Sequence, residues 1–491
     1  MTRTNANQMR WHKEGKRDKP ELMVHPADGE AWKHFDQTHP EFASEVRNVR
    51  LGLSSDGFMP YNSSAAPYSC WPVVVFPYNQ SPGLLMRDET MFLALLIPGP
   101  KHPGRDIDVF LRPLVDELDL LWKDGVVTYD ASTKQNFTMR AALQWTVSDF
   151  PAYENLSGWG TKGHLACPWC MGDTKSFQLP KGGKTCWFDC HRCFLPDDHP
   201  FRHDKTNFIK GRVETDPPPR MKTGEELYAE LKELPQIKWG KTAPIKQRPE
   251  YGHTDHWQKM SILWELPYWK TNLLRHCIDV MHLEKNFAEN LIFTILDIPN
   301  KTKDNTKARE DVQILCKRRK LHLTEDGKKP KAPYELTKQQ RRKVFQWLKE
   351  KVKFPEGYAA NWSRCVNVAT GKLTGLKSHD YHVFMERLLP VAFRDLLPDS
   401  VWEPLCEISS FFREICAKEL DPARVEQLEK DIVVTICKLE KHFPHGFFDS
   451  MEHLAIHVAR EARLGGPIGP RWMYPCERYH NFHYFLSLSI N

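Results

Sequence analysis

Cys167 and Cys170 stand in C-x-x-C spacing in the run GWGTKGHLACPWCMGD. Two thiolates so spaced fill adjacent corners of a zinc tetrahedron and need two further nitrogen or sulfur donors. His453 and His457, four apart in SMEHLAIHVAREA, share one helical face and are candidates for that second half. A rival set lies closer in the chain: Cys186, Cys190, His191, Cys193, His199 and His203. Spacing alone leaves both sets open. Carboxylates supply the other chemistry. Asp56 in LGLSSDGF and Asp149 in QWTVSDF each follow a strand-like run. At neighbouring strand tips, two such carboxylates can hold a hard divalent ion, which prefers oxygen ligands. In CIDVMHLEKN, Asp279 and His282 share a helix face, with Asn286 a turn on. That trio can bind metal, orient another side chain or brace packing. Glu477 follows Pro475 and falls in the first turn of a helix, a place where surface glutamates are common.

These groups need elements to position them. NVRLGLSSDGF sets Val49, Leu51 and Leu53 at period two, which predicts a strand running into Asp56-Gly57. CWPVVVFPY (70–78) and MFLALLIPG (91–99) predict two more strands. GRDIDVFLRPLVDELDLLWKDG (104–125) repeats Ile107, Leu111, Leu114, Leu118 and Leu121 at helical spacing and stops at Gly125. TMRAALQWTVSDF (138–150) returns to a strand that ends at Asp149. The order β-β-β-α-β requires a mixed sheet, with the helix as crossover. With an aspartate closing the first and fourth strands, this is the ribonuclease-H-like pattern. The expected fold class is therefore α/β, a mixed-sheet core interrupted by a large, mainly helical, zinc-stabilised insertion. The expected divisions are a polar leader (1–45), the first part of the core (46–150), the insertion with both metal motifs (151–470) and a final helix (471–491).

Composition sets the outer limits. Hydrophobic residues make up 41% and charged residues 27%, so the chain can bury a core and is not disordered throughout. No apolar run approaches the roughly 18 residues of a membrane span. The basic, polar start MTRTNANQMRWHKEGKRDKP has no apolar segment of a secretory signal. Thirteen cysteines, an odd number, then read as reduced thiols rather than a disulfide frame. The net charge of +6 is unevenly spread: residues 301–353 hold 18 Lys/Arg against 7 Asp/Glu. Concentrated basic charge suits phosphate backbones, and Arg318, Arg319, Arg341 and Arg342 are the candidate DNA contacts. A solvated helical face explains the same charges. The sequence has no GxxxxGK[ST], GxGxxG or GxSxG motif, which removes the usual phosphate-loop and nucleophile-elbow readings.

The strings LGLSSDGFMP, LIPGPKHPGRDIDVFLRPLVDELDLLW, LSGWGTKGHLACPWCM, WFDCHRCFLPDDHPFR and CIDVMHLEKNFAENLIFTILDIPN resemble the plant En/Spm (CACTA) transposon transposases of the tnp2 family. FFDSMEHLAIHVAREARLGGPIGPRWMYPCERYH resembles the conserved C-terminal segment of the same elements, and the likeness runs from about residue 20 to 480. It implies a DDE-type DNA transposase with two Mg²⁺ or Mn²⁺ ions and a structural Zn²⁺. It also implies action in the nucleus on double-stranded transposon ends, as a homo-oligomer, with a second element-encoded DNA-binding protein as a candidate partner and no membrane. The family's acidic triad falls on Asp56, Asp149 and Glu477, with Asp279, beside His282, as the runner-up second acid. The order of acids around a C-x-x-C and a histidine pair is also similar to the catalytic chain of V(D)J recombinase. That likeness assigns Cys167, Cys170, His453 and His457 to zinc. Two departures stand out: Cys476 where the family has an apolar residue, and an ending at Asn491 where the family continues. The expectation that follows is a truncated copy, active or catalytically decayed.

Overall fold

The computed structural model describes residues 3–59, 68–235 and 248–478. The strands β1 (Val49–Ser55), β2 (Trp71–Pro77), β3 (Phe92–Ile97), β6 (Ala141–Ser148) and β9 (His276–Ile278) form a five-stranded mixed sheet in the order β3-β2-β1-β6-β9. A short pair, β7 (Phe177–Gln178) with β8 (Thr185–Cys186), stands apart from it. β1, β2 and β3 pair antiparallel, while β6 runs parallel to β1 and β9 parallel to β6. Between β3 and β6 lie a 17-residue helix (Ile107–Lys123) and a hairpin, β4 (Val126–Asp130) with β5 (Gln135–Met139). The hairpin was not legible from the run 138–150. Its strands alternate poorly, with Val126, Val127 and Tyr129 all exposed.

The inner strands are buried on both faces while the edge strand β3 exposes Phe92, Leu93 and Leu96, and side-chain parity sorts the layers. Leu51, Leu53, Val73, Val75, Ala141 and Leu143 face a layer built from α2 (Ile107–Lys123), through Ile107, Leu111, Val115 and Leu118, and α3 (Phe150–Ser157), through Ala152 and Leu156. Val74, Phe76, Trp145, Val147 and Cys277 face the other way, onto Trp32 of α1 (Glu30–Thr38), Leu464, Met473 and Cys476. The expected polar leader is thus partly a packed layer: Trp32 and Phe35 are almost fully buried. The register of β1 on β6 shifts at Leu51/Gly52, and a Cβ at Gly52 would strike the Phe76 and Tyr78 rings. Glycine is required by that close approach.

The region expected as a helical insertion is mainly helical, and it also contributes a strand to the sheet. β9 is three residues long, too short to show a period-two pattern among its neighbours. From β9 the chain enters α4 (Val280–Ile295), and the rest builds a separate apolar core around α5 (Lys338–Glu350), α6 (Ser378–Val383), α7 (Asp399–Ile415), α8 (Pro422–Glu440) and α9 (Ser450–Gly465). The chain then returns to the sheet. Residues 474–478 are helical, and residues 479–491 of the expected final helix lie outside the described residues.

Two buried links fix this return. Trp145 Nε1 donates to the Tyr78 hydroxyl at 2.9 Å, and that hydroxyl donates to the Pro470 carbonyl at 2.8 Å. Glu461 accepts from Arg471 at 2.6 Å and from the Ile278 N–H at 2.9 Å, so one buried carboxylate ties the end of β9 to the returning segment.

Candidate metal centres

Three aspartates occupy the ends of the three parallel strands. Ser54 pairs with Val147, so Asp56 and Asp149 are level, each two residues further on. Ser148 pairs with Ile278, so Asp149 and Asp279 are level too. Two of them also start helices. Asp149 caps α3, its Oδ1 accepting from Ala152 N–H at 2.9 Å. Asp279 caps α4, accepting from the N–H groups of Met281 and His282. Carboxylates at helix N-termini are favoured by the unpaired N–H groups there.

Glu477 reaches the same place from the last described helical turn. His282 sits between: its Nδ1 donates to Asp279 Oδ2 at 2.5 Å, and its Nε2 lies 3.4 Å from Glu477 Oε1. Asp279 also accepts from Met473 N–H at 3.0 Å, which anchors the segment leading to Glu477. Both oxygens of Asp279 are therefore committed to protein donors. Asn286 joins Asp149, Asp279 and His282 in lining a small cavity there.

The electrostatics of this cluster are strained. Burial, then the charges of Asp149 and Glu477, push the Asp56 carboxyl up to about 7. Burial also raises Asp149 and Glu477, against the opposing pull of His282. His282 moves the other way: although burial opposes its charge, the Asp279 hydrogen bond and the charges of Asp279, Glu477 and Asp149 raise it to about 9. At neutral pH an imidazolium therefore offsets part of the negative charge. Of the neighbouring charges, that of Asp149 raises Asp56 the most.

The thiols and imidazoles form a tighter group. Cys167 Sγ lies 3.4 Å from His457 Nε2, while Cys170 Sγ lies 3.4 Å from His453 Nε2 and 3.3 Å from His457 Nε2. The two histidine Nε2 atoms are 3.4 Å apart, and all four residues are buried. These separations match donors around one tetrahedral ion with bonds of about 2.0–2.3 Å. Burial opposes thiolate formation, yet the Cys170 hydrogen bond and both imidazoles bring the Cys167 thiol well below its usual range. Trp169 stacks on His457 and Trp187 on His453, which orients both rings. The rival ligands are spent elsewhere. Cys186, Cys190 and Cys193 donate to backbone carbonyls, His199 accepts from Phe201 N–H, His203 meets the Asp197 carbonyl, and His191 pairs with Glu440 at 2.7 Å.

The four candidate DNA-contact arginines divide evenly. Arg318 is buried and donates to the carbonyls of Glu440 and Phe443, and Arg341 donates to those of Leu296 and Asp297. Both are structural, because their guanidinium groups satisfy carbonyls at helix ends. Arg319 and Arg342 are exposed. Nothing in the runs KRRK and RRK foretells this split, since each looks uniform.

Residues 20–234 match the family model described as Transposase family tnp2, and residues 415–485 match a Domain of unknown function (DUF4218). The first span contains Asp56, Asp149, Cys167 and Cys170, and the second contains His453, His457 and Glu477. Each cluster is thus assembled from both matched regions, with Asp279 and His282 contributed from between them. No curated protein matches the chain. The match over 20–234 makes the chain transposase-like, without fixing the kind of element or its host.

Proposed function

We propose that this transposase-like chain is a DDE-type DNA transposase of the En/Spm (CACTA) kind, acting in the nucleus on double-stranded transposon ends. On this reading the sheet with its flanking helices is a ribonuclease-H-like core. Asp56, Asp149 and Glu477 are its metal-binding acids, and the Cys167–Cys170–His453–His457 group is a structural zinc site. The observation that carries the reading is the level placement of Asp56 and Asp149 on adjacent parallel strand ends, with Glu477 brought beside them by a segment more than 300 residues away.

The donor set suits the implied ions. Asp56, Asp149 and Glu477 offer hard oxygen donors that repel one another, and such groups gain from a shared Mg²⁺ or Mn²⁺. When bound, a pair of such ions would supply charge stabilisation for in-line attack of a hydroxyl on phosphorus. The chain's own residues then do the remaining work. Asp56 and Asp149 present carboxylate oxygens at one level from a rigid sheet. Asp279 holds His282 and the Met473 backbone, so it positions Glu477 rather than sharing ligand duty. His282 donates from Nε2 towards Glu477 and keeps it aimed at the strand ends. Arg319, Arg342 and neighbouring lysines hold phosphates without reading bases. Assembly as a homo-oligomer, and a second element-encoded DNA-binding protein, complete the proposal.

The test is Mg²⁺- or Mn²⁺-dependent cleavage and strand transfer on matching transposon-end DNA by the purified chain. Asp56→Asn and Asp149→Asn should each abolish it with binding retained. Binding without cleavage in the unaltered chain would favour the alternative, a decayed transposase acting as a DNA- or protein-binding module.

A further inference from the structure

A second mixed-donor cluster is built partly on α4. Glu284, two residues beyond His282, is buried, with Oε2 accepting from His382 Nδ1 at 2.5 Å. Its other oxygen, Oε1, is buried without a hydrogen-bond partner. Cys416, at the C-terminal end of α7, completes a trio whose donor atoms all lie within 4.8 Å of one another. Glu386 adds a carboxylate 3.5 Å from His382 Nε2. The backbone that carries Glu386, Phe384–Leu388, is π-helical, an irregularity that recurs at functional sites. His382, Glu386 and Cys416 line a cavity of about 920 Å³, which would leave room for water beside an ion.

We propose that Glu284, His382 and Cys416 form a second metal site for a borderline divalent transition ion of the Zn²⁺ class, with Glu386 or water in the remaining position. Mixed nitrogen, sulfur and oxygen donors select such ions over Mg²⁺ or Ca²⁺. Tetrahedral donors with bonds of about 2.0–2.3 Å stand roughly 3.3–3.8 Å apart, so an ion would draw the widest donors in and open the Glu284–His382 hydrogen bond. The unpartnered Glu284 oxygen is the feature an ion would satisfy, because a buried carboxylate oxygen without a donor is costly to keep. The three ligands come from α4, α6 and the end of α7, and the His382 ring also packs edge-on against Trp472 and Tyr474. An ion here would therefore brace α4 against the segment that brings Glu477 to the sheet. It is separate from the Cys₂His₂ group, with which it shares no residue.

The experiment uses the whole chain, stripped of metal and re-equilibrated with Zn²⁺ in excess Mg²⁺, which keeps zinc off the carboxylates at the strand ends. Bound zinc should be two per chain in the unaltered protein. It should fall to one in Cys416→Ala and in His382→Gln. As a check that needs no variant, alkylation of Cys416 in the chain already carrying one equivalent of zinc, read by peptide mass spectrometry, should slow at least tenfold when a second equivalent is added. With Co²⁺ as the probe, a thiolate-to-cobalt charge-transfer band should be lost in Cys416→Ala while the band from Cys167 and Cys170 remains. Zinc binding that is the same in the unaltered chain and in both variants, or Cys416 alkylation indifferent to the second equivalent, would overturn the proposal.

Discussion

The strand-end carboxylates and the Cys₂His₂ group are both assembled from the two ends of the chain, yet they differ in finish. The thiol–imidazole group is closed. Four of its donor pairs lie 3.3–3.4 Å apart, buried and walled by two stacked tryptophans. The carboxylates are spread over three strand ends and a helix, with Glu477 still partly exposed and an imidazolium wedged among them. Closed four-ligand sites suit structure, whereas reactive sites keep open positions and unrelieved charge. The contrast separates what each can do: the closed group could hold one metal ion between the helical body's ends, and the open one carries repulsion that a ligand can relieve.

The sharpest way to break this comparison is to remove a ligand from each side. Structural zinc contributes about 10–16 kcal/mol in small zinc domains. Cys170→Ser, or chelation, should therefore cost several kcal/mol and remove cooperative unfolding of the helical body, measured by thermal melts. Asp56→Asn should leave the melting temperature unchanged or higher in the absence of divalent ions. If the carboxylate variant proved the more damaging, the assignment of roles would be reversed.

The return of the chain is the next largest effect. Arg471 and Glu461 are both buried, and Glu461 also holds the Ile278 N–H. Breaking such a pair by removing one partner costs about 3–5 kcal/mol, because the other charge is left uncompensated. Arg471→Ala should show that loss in denaturant unfolding, and Arg471→Met with Glu461→Gln should recover part of it. A cost under about 1 kcal/mol would mean that this link does not anchor the Glu477 segment.

The basic block gives a smaller effect. Charge removal at Arg319 and Arg342 should lower the salt dependence of DNA binding by up to about 0.9 log unit for each phosphate no longer neutralised, with stability unchanged. Arg318→Ala should instead destabilise by about 1–3 kcal/mol, since two buried carbonyls would be left without their donor. Equal salt slopes in all variants would reduce the block to a solvated face.

What the sequence disclosed follows from physics of different range. Strands β1, β2 and β3 and the helix at 107–123 were legible because apolar periodicity is local and each run is long enough to show it. Both clusters were legible as candidates because Cys and His at ligand spacing, and Asp at strand ends, are suited to holding ions. The partition of the arginines was not, because burial of Arg318 depends on carbonyls more than 120 residues away. β9, and with it the placement of Asp279 at a strand end, was equally hidden, since a three-residue strand is defined by its neighbour and not by its own pattern.

The finest test compares two carboxylates of the same type. Asp130, at the end of β4, is buried but surrounded by donors: Ser132 gives its hydroxyl at 2.6 Å and its N–H at 2.8 Å, Arg10 pairs at 2.6 Å and Arg47 at 3.2 Å. Burial opposes its ionisation, yet the Ser132 and arginine bonds hold it well below the usual carboxylate range. Linkage gives Asp130 and Asp56 opposite signs. Asp130, with a depressed folded-state value, contributes stability that is present above the unfolded value near 4 and lost as pH falls below it. Asp56, raised to about 7, is protonated in the folded chain while the unfolded chain has already ionised, so it lowers stability as pH rises from about 4 to 7. Denaturant unfolding from about pH 2 to 7 should therefore show Asp130→Asn flattening the acid limb below about pH 4 and Asp56→Asn flattening the decline towards neutrality. The Asp56 effect should shrink in saturating Mg²⁺, because a cation removes the repulsion that raised it, while the Asp130 effect should not change. If Mg²⁺ moved both curves alike, or neither, the strand-end carboxylates would be no more poised for an ion than a carboxylate already satisfied by its own turn.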